Sequence, residues 1–158
     1  MQILIENQEA SAATLMCAID NYDDVFDPNV VKVVVDAGGR ALYFSRSPIP
    51  YLRDAWQSKS PEQMRGEPVP ARTWFRHLGL YAYRRDFLLE YTRMAPTPLE
   101  QRERLEQLRI LENGHSISVG ETDRVSVGVD CEEDLVKVEN WIKVQEQEGL
   151  EPQPGRRS

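Results

Sequence analysis

The run Val30-Val-Lys-Val-Val-Val35 constrains the fold more than any other part of the chain, because Cβ-branched side chains at this density favour a pleated strand over a helix. Asp36-Ala-Gly-Gly39 follows directly, and the chain then returns through Arg40-Ala-Leu-Tyr-Phe-Ser45. A strand-forming run, a glycine-containing turn and a second strand-forming run predict a β-hairpin.

The remaining segments supply strands and helices in alternation. Gln2 to about Glu9 suits the last turns of a helix, and residues 13–19 (ATLMCAI) form a short apolar run fit for a buried strand. Residues 73–83 (TWFRHLGLYAY) have strand propensity, and a period of two puts Phe75, His77, Gly79 and Tyr81 on one face. Residues 116–119 and 125–129 also read as short strands. Thr97 as N-cap, Pro98 in the first helical position and Glu100 completing a capping box start a helix expected to end near Gly114. A second helix is expected from about Glu132, with Leu135, Val138, Trp141 and Ile142 as its apolar stripe. Between hairpin and strand, residues 46–72 carry prolines at 48, 50, 61, 68 and 70, which predicts a long irregular arm. The result is an α/β class with a mixed sheet, in one domain over residues 1–148, followed by a Pro/Gly-rich tail at 149–158.

Composition narrows the function. The chain has 158 residues with a net charge of −7. That acidity disfavours a nucleic-acid polymer as partner, since binding phosphate backbones requires a basic surface. It leaves room for a nucleotide held by a few local Arg or Lys. No apolar run approaches the ~20 residues of a membrane span, and the amino terminus has no secretory pattern, so a cytoplasmic protein is expected. Cys17 and Cys131 lack the spacing of a zinc site and are expected to be reduced thiols.

Several polar residues stand out, each with an ordinary explanation beside a chemical one. An isolated Arg46 is most often a solvated surface charge, although its planar fork also matches a carboxylate or phosphate. His77 is commonly a satisfied core or edge histidine, but it can donate and accept hydrogen bonds to a polyol. Glu100, Glu103, Glu106, Gln107 and Arg109 share a helix; Glu100 reads as a capping residue, and Glu103 and Arg109 as ion pairs on a solvated face. Asp130 precedes a helix and reads as its N-cap with Glu133 at the third position.

The segment FDPNVVKVVVDAGGRALYFSRSPIPY, from Phe26 to Tyr51, resembles the 3-deoxy-manno-octulosonate (Kdo) cytidylyltransferase family. The resemblance continues through FRHLGLYAYR (Phe75 to Arg84), PTPLEQRERLEQLRIL (Pro96 to Leu111) and GVDCEEDL (Gly128 to Leu135) in the family's order and spacing. It implies a nucleotidyltransferase-type three-layer sandwich with a mixed sheet, incomplete at the amino-terminal side, in an enzyme that is usually a homodimer. It implies Mg2+-dependent transfer of CMP from CTP to Kdo, releasing pyrophosphate and making the activated sugar for lipopolysaccharide.

The same resemblance assigns Arg46, His77, Tyr81, Glu106 and Gln107 to the sugar, and makes Asp130 a catalytic residue and Mg2+ ligand. The family's Thr-Pro after that aspartate is replaced here by Cys131-Glu132. The family's glycine- and lysine-containing loop for the CTP triphosphate, and a second aspartate for the metal, have no counterpart among these residues. Catalysis is therefore expected to need a further half, and the chain alone is expected to be inactive. A non-catalytic sugar-binding or dimerisation module is the alternative.

Overall fold

Strand β1 (Ala12–Ala18) organises the sheet, and a short helix, α1 (Gln2–Glu6), leads into it. The computed structural model describes residues 2–56 and 59–123, all within the compact unit Met1–Arg124. β1 is buried or half-buried up to Cys17, as its continuous apolar sequence requires of a strand with neighbours on both edges. Next comes α2 (Tyr22–Phe26), capped by Asn21, whose side-chain oxygen accepts from Asp24 N at 2.8 Å.

The expected hairpin forms from β2 (Lys32–Val35) and β3 (Ala41–Ser45), paired antiparallel from Lys32 opposite Ser45 to Val35 opposite Ala41. Its turn is held by the Asp36 carboxylate, which accepts from Gly38 N at 2.8 Å and Arg40 N at 2.9 Å. Gly39 takes a φ of +75° there, a conformation costly to any residue with a Cβ.

The arm over residues 46–72 is not wholly irregular, since it contains α3 (Arg53–Trp56) and α4 (Pro61–Met64). Aromatic burial overrides its proline content. Trp56 stacks on Trp74 with centroids 5.5 Å apart, and the Trp74 indole donates to Pro50 O at 2.9 Å. Met64, Tyr22, Val25 and Trp74 form a second core beneath the arm.

The single strand expected over 73–83 is two strands, β4 (Phe75–His77) and β5 (Ala82–Tyr83), lying end to end along the same edge of β1. His77 pairs with Met16 and Ala82 with Ala13, so the intervening chain carries two residues more than β1 spans. Such bulges re-aim side chains and recur beside functional sites. Helix α5 (Arg85–Tyr91) follows, a helix the sequence reading did not anticipate.

The single helix expected from Thr97 to Gly114 is likewise broken, into α6 (Pro98–Glu103) and α7 (Leu108–Glu112). Its start is as expected, with Glu100 accepting from Thr97 N at 3.1 Å, and Gly114 ends it at a φ of +79°. The break is at Arg104, in the left-handed region with a φ of 56°. Beyond the break, Leu105 and Leu108 are buried in the main core with Phe44, Met16, Ile117 and Val119.

Strand β6 (Ile117–Glu121) completes a six-stranded mixed sheet in the order β3-β2-β4-β1, with β5 beside β4 on β1 and β6 parallel to β1 on its other edge. The architecture is thus the expected α/β class with hairpin strands included. Among the described residues no helix is long and apolar enough to cross a membrane. Cys17 is a buried free thiol. The expected strand at 125–129, the helix from Glu132, the tail, Cys131 and Asp130 lie outside the described residues.

Candidate functional site

The bulge between β4 and β5 brings His77 and Tyr81 together, with ring centroids 5.3 Å apart, although not by the strict alternation the sequence suggested. Gly79 makes this possible, turning the chain at a φ of +67°. Thr14, fully buried in β1 opposite the bulge, ties it down: its Oγ1 lies 2.9 Å from His77 Nε2 and donates to Leu80 O at 2.8 Å. Phe44 from β3 packs edge-on against the imidazole, with centroids 4.9 Å apart.

Burial sets the protonation of this pair. It pushes His77 down to about 4, so the ring is neutral near pH 7. It also drives Tyr81 far above the usual phenol range, with the charge of Glu106 adding to the effect. Tyr81 is therefore a permanent hydroxyl donor. Its oxygen is buried and has no hydrogen-bond partner among the described residues. Buried polar groups rarely stay unpaired, so an orphaned hydroxyl marks a place for a ligand group or water.

Glu106 and Gln107 reach this region through the broken helix. Gln107 is buried at the start of α7, whereas the Glu106 side chain is exposed. Tyr91 of α5 holds their backbone, its hydroxyl donating to Glu106 O at 3.0 Å. Tyr81, Tyr83 and Tyr91 stack in sequence, with centroid separations of 5.6 and 5.9 Å, which links the bulge to the helix turn. Burial, followed by the neighbouring Tyr91 and Glu106, pushes Tyr83 up to about 12.

Glu103 and Arg109 are not solvated-face residues. The Glu103 carboxylate accepts from Ser45 Oγ at 2.7 Å and from Arg46 N at 3.0 Å, clamping the end of β3 to α6. Arg109 makes a two-pronged contact with Glu100, including Nε to Oε2 at 2.7 Å, and stacks over Tyr91 with its guanidinium carbon 5.1 Å from the ring centroid. Both groups of the pair are largely buried. The Arg109 hydrogen bonds hold the Glu100 carboxyl below the usual range. The capping role of Glu100 stands, with this ion pair added to it. Each carboxylate found a partner across the fold, which helical spacing alone does not reveal.

Arg46 follows the clamp. Its guanidinium donates to Glu103 O at 2.7 Å, Pro28 O at 2.9 Å and Arg104 O at 3.4 Å. An arginine has five N–H donors, so among the described residues one N–H on each terminal nitrogen has no acceptor. Beneath it lies Lys32, fully buried and donating to Asp27 O at 2.8 Å. Burial pushes this amine down to about 8, opposed by Asp27 and reinforced by Arg46. The sequence carried a signal for Lys32, a lone cation inside a β-branched run, and for Thr14, a lone hydroxyl in an apolar strand. Neither was picked out as part of the site.

The structure thus joins His77 and Tyr81 directly, connects them to the Glu106–Gln107 turn through stacked tyrosines, and fastens Arg46 to the preceding helix. Asp130 lies outside the described residues. Among those residues no group of three or more His, Cys, Asp or Glu is arranged to hold a metal ion.

Comparison with known proteins bears on this arrangement. The family model for Cytidylyltransferase matches residues 1–117. A 3-deoxy-manno-octulosonate cytidylyltransferase of Pelobacter propionicus is 51% identical over 134 residues, covering 85% of this chain and 51% of the relative. One from Geobacter metallireducens is 52% identical over 136 residues, with coverage of 85% and 52%. The chain therefore spans about half the length of these relatives. A solved structure described as CMP:2-keto-3-deoxy-manno-octonic acid synthetase complexed with CTP aligns with a TM-score of 0.74 at 38% identity, covering 91% of this chain and 54% of that one. The mixed sheet accordingly has the nucleotidyltransferase-type fold that the sequence resemblance implied. With a family model spanning most of its length and relatives about half identical along it, the chain belongs to the cytidylyltransferase family.

Proposed function

We propose that this chain forms the sugar half of an enzyme that transfers CMP from CTP to Kdo, giving CMP-Kdo and pyrophosphate for lipopolysaccharide. The observation that carries the reading is the buried Tyr81 hydroxyl, without a hydrogen-bond partner among the described residues, beside His77. A polyhydroxylated acid sugar needs neutral donors and acceptors for its hydroxyls and a cation for its carboxylate. Tyr81 donates, the neutral His77 ring offers a lone pair, and the Gln107 amide and Glu106 carboxylate extend the set from the adjoining turn. The two Arg46 N–H groups without an acceptor among the described residues suit the sugar carboxylate, since guanidinium and carboxylate match geometrically.

Asp130 is the residue assigned to Mg2+, which when bound would neutralise triphosphate charge during an in-line displacement. The chain's own residues hold and orient the sugar acid, and positioning supplies much of the rate in phosphoryl-type transfers. A cytoplasmic homodimer completes the proposal, supported by the resemblance to a family of that habit.

Titration of the 15N-labelled chain with Kdo tests the reading. Shifts are expected at His77, Tyr81, Gln107 and their neighbours, and His77→Ala or Gln107→Ala should weaken binding on the order of tenfold, equivalent to about 1.4 kcal/mol. Equal affinity in wild type and both variants would make these residues structural and remove the sugar site.

A further inference from the structure

The Thr14 hydroxyl has one proton and two acceptors within reach. Leu80 O, at 2.8 Å, is a carbonyl and can only accept, so the Thr14 proton points to it. Were that proton turned instead towards His77 Nε2, two acceptor oxygens would face each other at 2.8 Å with nothing between them. Towards the imidazole, then, Thr14 acts as acceptor, and the 2.9 Å contact is Nε2–H donating to Oγ1. Among the described residues no hydrogen bond is made by Nδ1.

From this geometry we propose that Thr14 is the positioning residue for His77: it fixes the Nε2–H tautomer and thereby turns Nδ1 into a hydrogen-bond acceptor. The acceptor would take a hydroxyl of the sugar acid, a part that rests on the function proposed above. Each component of the device has a visible structural origin. Gly79 bends the chain so that Leu80 O reaches back to β1, and the bulge gives His77 and Leu80 a common partner. Phe44 and Tyr81 contact the ring without charge, and burial keeps it neutral. A second partner on the other nitrogen commonly decides which histidine tautomer is present.

Long-range 1H–15N correlation spectra of the imidazoles at pH 7.5 read the tautomer directly, and a His115→Gln variant identifies the signals of the other histidine. Wild type is expected to show a protonated Nε2 and an unprotonated Nδ1 at His77. Thr14→Val should mix the tautomers and weaken Kdo binding on the order of tenfold, whereas Thr14→Ser should preserve both. An Nδ1–H tautomer in wild type overturns the proposal, and that spectrum needs no variant to fold. An unchanged tautomer in Thr14→Val also overturns it. If the tautomer responds as expected while wild type takes up no Kdo, the role of Thr14 stands and the sugar reading falls.

Discussion

His77 couples the site to acid stability. Its folded pKa, about 4, lies below the ordinary histidine value, so between pH 6.5 and 4 the unfolded chain binds a proton that the folded chain refuses. Stability contributed by the neutral ring is therefore full above pH 6.5 and lost as pH falls through that window, by up to roughly 3 kcal/mol. Urea titrations at pH 7.5 and 4.5 should show His77→Gln losing less stability on acidification than wild type; parallel losses would show that His77 is not the titrating group. Arg109 makes a different point about single side chains. Because it grips Glu100 with two nitrogens and stacks on Tyr91, Arg109→Lys is expected to destabilise by about 1–2 kcal/mol despite retaining the charge. A midpoint of denaturation unchanged by that substitution would contradict the geometry.

Among the elements, the two interruptions matter most, since β4–β5 and α6–α7 are each continuous in sequence pattern and broken in space. Gly79 and Arg104 occupy left-handed backbone at these breaks, one suited to it and one not. A Cβ at Gly79 would meet nothing within 4 Å, so Gly79→Ala should destabilise through backbone conformation alone, by roughly 1–2 kcal/mol. Arg104→Gly should do the opposite and raise the thermal midpoint, and an unchanged or lowered midpoint would show that the left-handed turn carries no strain. Glu103 supplies the companion prediction: Glu103→Ala removes the acceptor for Ser45 Oγ and Arg46 N and is expected to cost about 2 kcal/mol, with Glu103→Gln intermediate. Equal unfolding curves for all three forms would show that the clamp between β3 and α6 carries no weight.

At the scale of the whole molecule, the chain spans about half the length of the relatives it matches, and the proposed reaction is tested by supplying the rest. Fused behind the amino-terminal segment of a relative, the chain is expected to make CMP-Kdo from CTP, Kdo and Mg2+. Asp130→Asn in that fusion separates two roles. Asparagine caps a helix about as well as aspartate, so a purely capping residue tolerates the change. A metal ligand does not, because the neutral amide gives up the ion's attraction, and Mg2+-dependent turnover should collapse. Full turnover in the variant would return Asp130 to the role of cap.

Much of the fold was legible along the chain because its signals are local. The β-branched run and the Asp36–Gly39 turn dictate a hairpin through backbone sterics, and Thr97, Pro98 and Gly114 mark where helical structure starts and stops. His77 and Tyr81 were legible as neighbours because they lie close in sequence. The bulge that joins them was not, since its two extra residues are apparent only against β1. The break at Arg104 escaped for the same reason, as burying Leu105 and clamping Ser45 and Arg46 outweigh helical continuity only once the sheet is present. Sequence also left Thr14 and Lys32 as oddities within apolar runs. Their partners, Leu80 and Asp27, are carbonyls, which every residue carries, so only the folded chain could say which ones they meet.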